Sequence, residues 1–266
     1  MTLLRRMRPL LGTFVELAVD DENLSSSTAL HHAFNSGFRA ITDVQTALSF
    51  HRADSELSRI NLYPKQWLNI SHLSLRVLQL AKALTELSGG LFNYALGQEL
   101  VARKILPDHG FGERQKCADA NVLSFSAGKV RLNDDALICL DGIAKGYAVD
   151  LAIVALKRSG IKAGYINAGG DLRVFGQCRI PVQLAGKNEP SGLLCNAAIA
   201  TSNSDSSEQF PGLLLSGEGN TLPSGRWSVI ASSAWRADAL TKVAAASNGN
   251  SALVASLGGR LVHSDA

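Results

Sequence analysis

The chain has 266 residues, 46% of them hydrophobic, and its 26 basic and 23 acidic residues leave a formal charge of +3. That length builds one substantial core or two small ones sharing an interface, while scattered basic residues exclude a nucleic-acid binder and no run is long enough to span a bilayer. Cys117, Cys139, Cys178 and Cys195 are far apart, with no Cys-x-x-Cys pair, and the six histidines show no ligand spacing; a zinc site or disulfide framework is not expected, and free thiols fit a reducing compartment.

In chain order, Arg5, Arg6 and Arg8 lead into an apolar run interrupted by Glu16, with no small-residue cleavage site behind it. It reads as a first strand rather than an export signal, and a cytoplasmic location is expected. Residues 13 to 19 alternate with Val15, Leu17 and Val19 on one face, which predicts a strand. Serines 25 to 27 cap a helix with the stripe Leu30, Phe34, Phe38, Ile41, Val44 and Leu48. Residues 49 to 61 read as a polar loop. Ser71 caps a second helix (Leu73, Val77, Leu80, Leu84, Leu87), and Gly89-Gly90 ends it. Residues 91 to 135 are mixed loops and short strands.

Ala136 to Leu140 reads as an apolar strand, followed by Asp141-Gly-Ile-Ala-Lys-Gly-Tyr-Ala-Val-Asp150. Asp141 suits an N-cap and Gly142 a tight turn. The helix they open is expected to bury Ala144, Ala148, Leu151, Ala152 and Ala155, and to close on Lys157, Arg158 and Gly160. Lys145 falls in the first turn, where the helix dipole disfavours a cation by up to about 1 kcal/mol. It is either a solvated lysine or an ammonium placed, with exposed backbone N–H groups, for a phosphate.

Residues 164 to 176 predict a hairpin turning at Gly169-Gly170. A strand pair follows over about 181 to 200, then a long Ser/Gly-rich loop over 202 to 226. Trp227 to Ala231 is a strand. Ser232 or Ser233 caps a helix containing Asp238, which closes at Asn248-Gly249. A short helix and a final strand end the chain. Antiparallel hairpins with helices on one side make an α+β fold, and without a clean linker residues 1–266 form a single domain.

Three clusters stay open to two readings. Gly169-Gly170-Asp171 is a plain turn, or one that brings a carboxylate to a ligand. Arg52, Asp54, Ser55, Arg59 and Asn61 satisfy their own loop or hold a polar ligand, the former being favoured. Asp238 and Lys242 form a surface ion pair, or Asp238 binds a hard cation with help from Thr241 or Thr201. Spacing assembles no nucleophile–His–acid arrangement and no Walker loop.

Seven segments, in order, resemble the ApbE family of FAD:protein FMN transferases: Leu11-Gly-Thr13; Leu48-Ser49 with Asp54-Ser-Glu-Leu-Ser-Arg-Ile-Asn61; Ser88-Gly-Gly-Leu-Phe-Asn93; Gly142-Ile-Ala-Lys-Gly-Tyr-Ala-Val-Asp150; Asn167-Ala-Gly-Gly-Asp-Leu-Arg173; Ala200-Thr-Ser202; and Ala237-Asp-Ala-Leu240. The resemblance implies a T-fold-like, two-layer architecture built from two related halves. It also implies Mg²⁺-dependent cleavage of FAD, with FMN passing to a Ser or Thr hydroxyl of an acceptor flavoprotein and AMP leaving. Carried over by position, Leu11, His51, Leu91, Phe92 and Asn93 line the flavin or adenine pocket. Lys145 contacts FAD and, with Asp141, whose carboxylate reaches the pocket from two residues past the family's aspartate position, is a catalytic candidate; Gly169, Gly170, Asp171 and Thr201 add to the FAD site, and Gly142, Asp238 and Thr241 face Mg²⁺.

The departures from the family are specific. Where it has Asp-Leu-Gly-Gly-Ile-Ala-Lys, Cys139 takes the aspartate position and Asp141 the first glycine. Asn93 stands for the usual Asp, and Lys242 for a metal-binding Thr. The family's His-x-x-Asp-Pro-x-Thr-Gly segment, thought to help activate the acceptor hydroxyl, is replaced by residues 212 to 225, whose acid is Glu218. The alternative expectation is therefore a flavin-binding paralogue without transfer.

Overall fold

The structure, a computed structural model, describes residues 3–20, 26–114, 120–183, 191–204, 206–207, 210–211 and 214–265. Cys117, Ser25 and residues 212–213 of the unusual segment lie outside them. Strands β1 (Leu3–Leu10) and β2 (Thr13–Asp20) open the chain, followed by α1 (Ser27–Leu48), α2 (Glu56–Leu62), β3 (Leu68–Asn69), α3 (His72–Leu87) and α4 (Gly97–Ala102). The middle holds β4 (Leu123–Ser126), β5 (Lys129–Leu132), α5 (Ala144–Arg158), β6 (Gly164–Ala168), β7 (Asp171–Phe175), β8 (Ile180–Val182) and β9 (Gly192–Leu194). The last third adds β10 (Ala198–Asn203), β11 (Ser206–Ser207), β12 (Phe210–Pro211), β13 (Arg226–Ala231), α6 (Ala234–Ala246), α7 (Ser251–Ser256) and β14 (Gly259–Asp265).

Seven strands form one sheet in the order β1-β2-β6-β7-β10-β13-β14, with every neighbouring pair antiparallel. The strand period of two sorts the side chains cleanly. Val15, Leu17, Val19, Ile166, Ala200 and Val229 face the core shared with α1, α5 and α6. Ala18, Tyr165, Val174 and Ile199 face the other way, into a smaller cluster with Leu194 of β9. The expected α+β arrangement, with helices on one side, is what forms.

Helix α1 follows its sequence stripe: Ser26 caps it by accepting from the Ala29 amide at 3.2 Å, and Phe34, Phe38, Ile41, Val44 and Leu48 are buried. Helix α3 departs from its stripe. Its buried face is Ser74, Val77, Leu78, Ala81, Leu84 and Thr85, and Leu87 is 70% exposed. Thr85 donates to the Ala81 carbonyl at 2.9 Å, so its hydroxyl needs no partner outside the helix and it buries as a small residue.

Two further expectations need correction. Residues 56 to 62 are helical, not loop, because Ser55 accepts from the Ser58 amide at 3.0 Å and starts a turn. Among the described residues, Ala136 to Leu140 forms no strand, only a single bridge at Ala136. It is a buried extended segment whose central residue pairs with a side chain: Asn61 donates to the Ile138 carbonyl at 2.9 Å and accepts its amide at 2.8 Å. A buried backbone needs such partners, and the Asn61 amide supplies both halves of a ladder rung.

Candidate functional site

Helices α5 and α6 start beside each other, and each caps its neighbour. Asp141 is not the N-cap of α5; Ile143 holds that position without a side-chain bond. The Asp238 carboxylate of α6 instead accepts the Gly146 amide at 3.1 Å. In return, Asp150 of α5 accepts the Ala234 and Trp235 amides that open α6, at 2.8 and 3.0 Å, while Ser233 makes no capping bond with its side chain. Asp150 also pairs with Arg173. A side chain at Gly146 would put its Cβ 2.4 Å from the Ala234 carbonyl oxygen, so only glycine allows the approach. Two sets of partly positive helix ends thereby converge on one region.

A cavity of about 460 Å³ opens at the start of α5. Leu11 and Gly12 of the β1–β2 turn form one wall, Val44, Gln45, Leu48 and Ser49 another, and His51, Asp141, Ala144 and Lys145 the rest. Four of the residues expected at the site, Leu11, His51, Asp141 and Lys145, meet here. Gln45 and Ser49 join them: Gln45 sits at the polar edge of the α1 stripe, where nothing in the pattern marks it, and Ser49 follows Leu48 in one of the seven segments. Gln45 accepts the Leu11 amide at 3.0 Å, which fixes a turn whose Leu11 has φ +56°.

The charges are tightly coupled. Lys145 lies 3.0 Å from Asp171, which is 2% exposed. Burial works against the lysine's charge, but Asp171 and then Asp238 outweigh it and hold the ammonium above its ordinary pKa. Burial, reinforced by Asp238 and opposed by Lys145 and Lys242, pushes the Asp171 carboxyl up to about 6. Asp141 is accessible from the cavity, yet surrounding protein desolvates it and raises its carboxyl, against the pull of His51. Burial also pushes the adjacent Cys139 thiol up, with Asp141 adding to it, so Cys139 stays neutral as a hydrogen-bonding partner of Asp141.

A pH dependence follows. Because its folded pKa lies above its unfolded one, Asp171 favours folding most at low pH and loses that contribution as pH rises through about 6. For an anionic ligand the sign is the same, since protonated Asp171 leaves Lys145 uncompensated. Binding of a phosphate-bearing ligand should be on the order of three- to tenfold tighter at pH 5.5 than at pH 7.5. His51, Asp141, Asp238 and Lys242 also face this region, so titrations of Asp171→Asn across that range isolate the effect. An unchanged slope in the variant would mean that Asp171 is not its source.

The other expected residues divide into three groups. Phe92 is buried against Gly142, its Cε2 3.3 Å from where a Cβ would stand, and Lys242 Cε lies 3.6 Å from the same point. Leu91 is half-buried against the core. Asn93 acts as a tie: it donates to the Gly217 carbonyl at 2.9 Å and accepts the Ala95 amide at 2.8 Å. The segment it ties down turns over 216 to 220 and packs so tightly that a Cβ on Gly217 would fall 1.6 Å from the Gly90 oxygen. Glu218 is exposed at its tip.

Gly169, Gly170 and Thr201 do not enter the 460 Å³ cavity. They border a separate hollow of about 580 Å³ on the far face of the sheet, where Thr201 bonds Ser228 at 2.8 Å. Only Asp171, one residue past the turn, points back to Lys145. One residue along β10 from Thr201, Ser202 faces the helices and bonds Thr241 at 2.6 Å.

The residues expected at Mg²⁺ do not fit that ion as arranged. One Asp238 oxygen holds the Gly146 amide and the other the Lys242 ammonium. Thr241 is fully buried, donating to the Asp238 carbonyl at 2.6 Å and paired with Ser202. Among the described residues, no three His, Cys, Asp or Glu side chains are grouped to hold a metal. A hard cation needs several open oxygens. Here the Asp238 carboxylate and the Thr241 hydroxyl are already engaged, with an ammonium among them.

The ApbE family model matches residues 11–256, and the chain belongs to that family. No functionally curated protein was found to match it. Among solved structures, the ApbE protein of Thermotoga maritima MSB8 is 21% identical, with 98% of this chain and 93% of that one covered and a TM-score of 0.83. The apo flavinyl transferase ApbE of Pseudomonas stutzeri is 19% identical, with 98% and 94% covered, at 0.78. The flavin transferase ApbE of Vibrio cholerae is 19% identical, with 98% and 96% covered, at 0.77. At these identities the structures establish the shared fold. Among the described residues, no helix is long and apolar enough to cross a membrane.

Proposed function

We propose that the protein is a flavin transferase: FAD is its substrate, and FMN passes to a Ser or Thr hydroxyl of an acceptor flavoprotein. The acceptor oxygen forms a bond to the FMN phosphorus as its hydroxyl proton is released to water, the bond from that phosphorus to the bridging oxygen breaks, and AMP leaves with that oxygen. The observation that carries the reading is the Leu11–His51–Lys145 cavity at the start of α5, in a chain of the ApbE family. Phosphoryl transfer asks for positioning and charge neutralisation more than for covalent chemistry. Lys145 and the converging helix starts supply positive charge where a pyrophosphate would sit. Leu11, Val44 and Leu48 offer the apolar wall that a flat ring system takes.

The test is incubation of the purified chain with FAD and Ser- or Thr-containing acceptor domains, with and without Mg²⁺, followed by mass spectrometry. A mass gain equal to an FMN group on an acceptor is expected, with one AMP released per gain. The second reading, flavin binding without transfer, is favoured by one observation: Asp238 is occupied by Lys242 and Gly146. Tight FAD binding with neither AMP nor FMN-modified acceptor would select it.

A further inference from the structure

Asp238 is 1% exposed, and Lys242 stands one helical turn after it. The Lys242 ammonium donates to the Asp238 carbonyl at 3.0 Å and to its carboxylate, and its Cε lies 3.6 Å from the Cβ position of Gly142. It therefore fills the space between Asp238 and Gly142, two of the residues expected at a cation. An ammonium has three N–H donors. Two go to Asp238, and among the described residues the third has no acceptor.

We propose that Lys242 takes the place of a divalent cation, so that the site binds the FAD pyrophosphate without metal. This rests on the reading of FAD as the ligand. Lys242 neutralises Asp238, as an ion would, and turns its remaining N–H toward a phosphoryl oxygen. A monovalent ammonium brings one positive charge fewer than Mg²⁺. Lys145, in the first turn of α5 and within electrostatic reach of the same Asp238, supplements that charge. An ammonium is also a point donor without strict geometry, unlike Mg²⁺, which demands an octahedron of oxygens.

The experiment is calorimetric titration of the full chain with FAD in EDTA and in millimolar Mg²⁺, with Mn²⁺ binding followed by electron paramagnetic resonance. Wild type is expected to bind FAD with the same affinity, within about twofold, in both buffers and to hold no Mn²⁺. Lys242→Thr is expected to lose about tenfold in EDTA and to recover in Mg²⁺, with a Mn²⁺ signal appearing. Wild-type binding that requires Mg²⁺ would overturn the substitution while leaving FAD as the ligand. Metal-independent binding that Lys242→Thr leaves unaltered would also overturn it. Absence of FAD binding in either buffer would reject the flavin reading itself, and with it this one.

Discussion

Asp150→Ala should lower the stability of the whole chain by about 3 kcal/mol, the scale set by breaking a buried ion pair from one side. Among the described residues, the carboxylate is the sole side-chain cap on α6, accepting two amides and pairing with Arg173. Burial pushes its own pKa up in spite of Arg173 and both amides, so its net charge energy is not what stabilises the fold. The loss comes from what is left behind: an arginine facing an apolar hole and two orphaned N–H groups. Asp150→Asn keeps the shape and one acceptor but turns an NH₂ toward the remaining donors, and about half the loss is expected. At this chain length, the alanine variant should melt roughly 6 to 12 °C lower by calorimetry. FAD affinity should fall as well, because α6 carries Asp238 and Lys242. A melting temperature within a degree of wild type would mean that the mutual capping of α5 and α6 contributes little.

That arrangement also marks where the sequence stops being readable. Alternation in β2, the α1 stripe, the Gly89-Gly90 stop and the Gly169-Gly170 hairpin are local, set by side-chain period and backbone handedness, and each forms as expected. The start of α5 is not local. Asp141 has the chemistry of a cap, but the helix begins two residues later, with Ile143 as its N-cap, and the Gly146 amide in its first turn finds Asp238, 92 residues away. Asn61 reads as a loop residue because its partner, Ile138, is 77 residues on. The site follows the same rule. Lys145 and its pocket neighbours came from motifs in order, whereas Thr201 against Ser202 depends on which face of β10 meets the helices, and a shift of one residue exchanges the two. Lys242 was visible as an oddity, but only its seat on Asp238 turns it into a structural element of the site.

Lys145→Ala is expected to weaken FAD binding by about 10- to 100-fold, the range of a lost charge-assisted hydrogen bond. Its effect on stability should be much smaller, for a reason specific to this pair. Asp171 is buried and already titrates at about 6. Removing the ammonium takes away an opposing pull, so the carboxyl should bind a proton at neutral pH rather than remain an isolated buried charge. Asp171→Asn should move affinity the opposite way, tightening it on the order of threefold or more at pH 7.5 by freeing Lys145. The two side chains then form a thermodynamic cycle measurable by FAD fluorescence quenching. In the Asp171→Asn background, loss of Lys145 should cost more affinity than it does alone, because there the ammonium serves only the ligand. If Asp171→Asn weakened binding as much as Lys145→Ala, Asp171 would be contacting FAD itself, and the role given to Lys145 would pass to the pair.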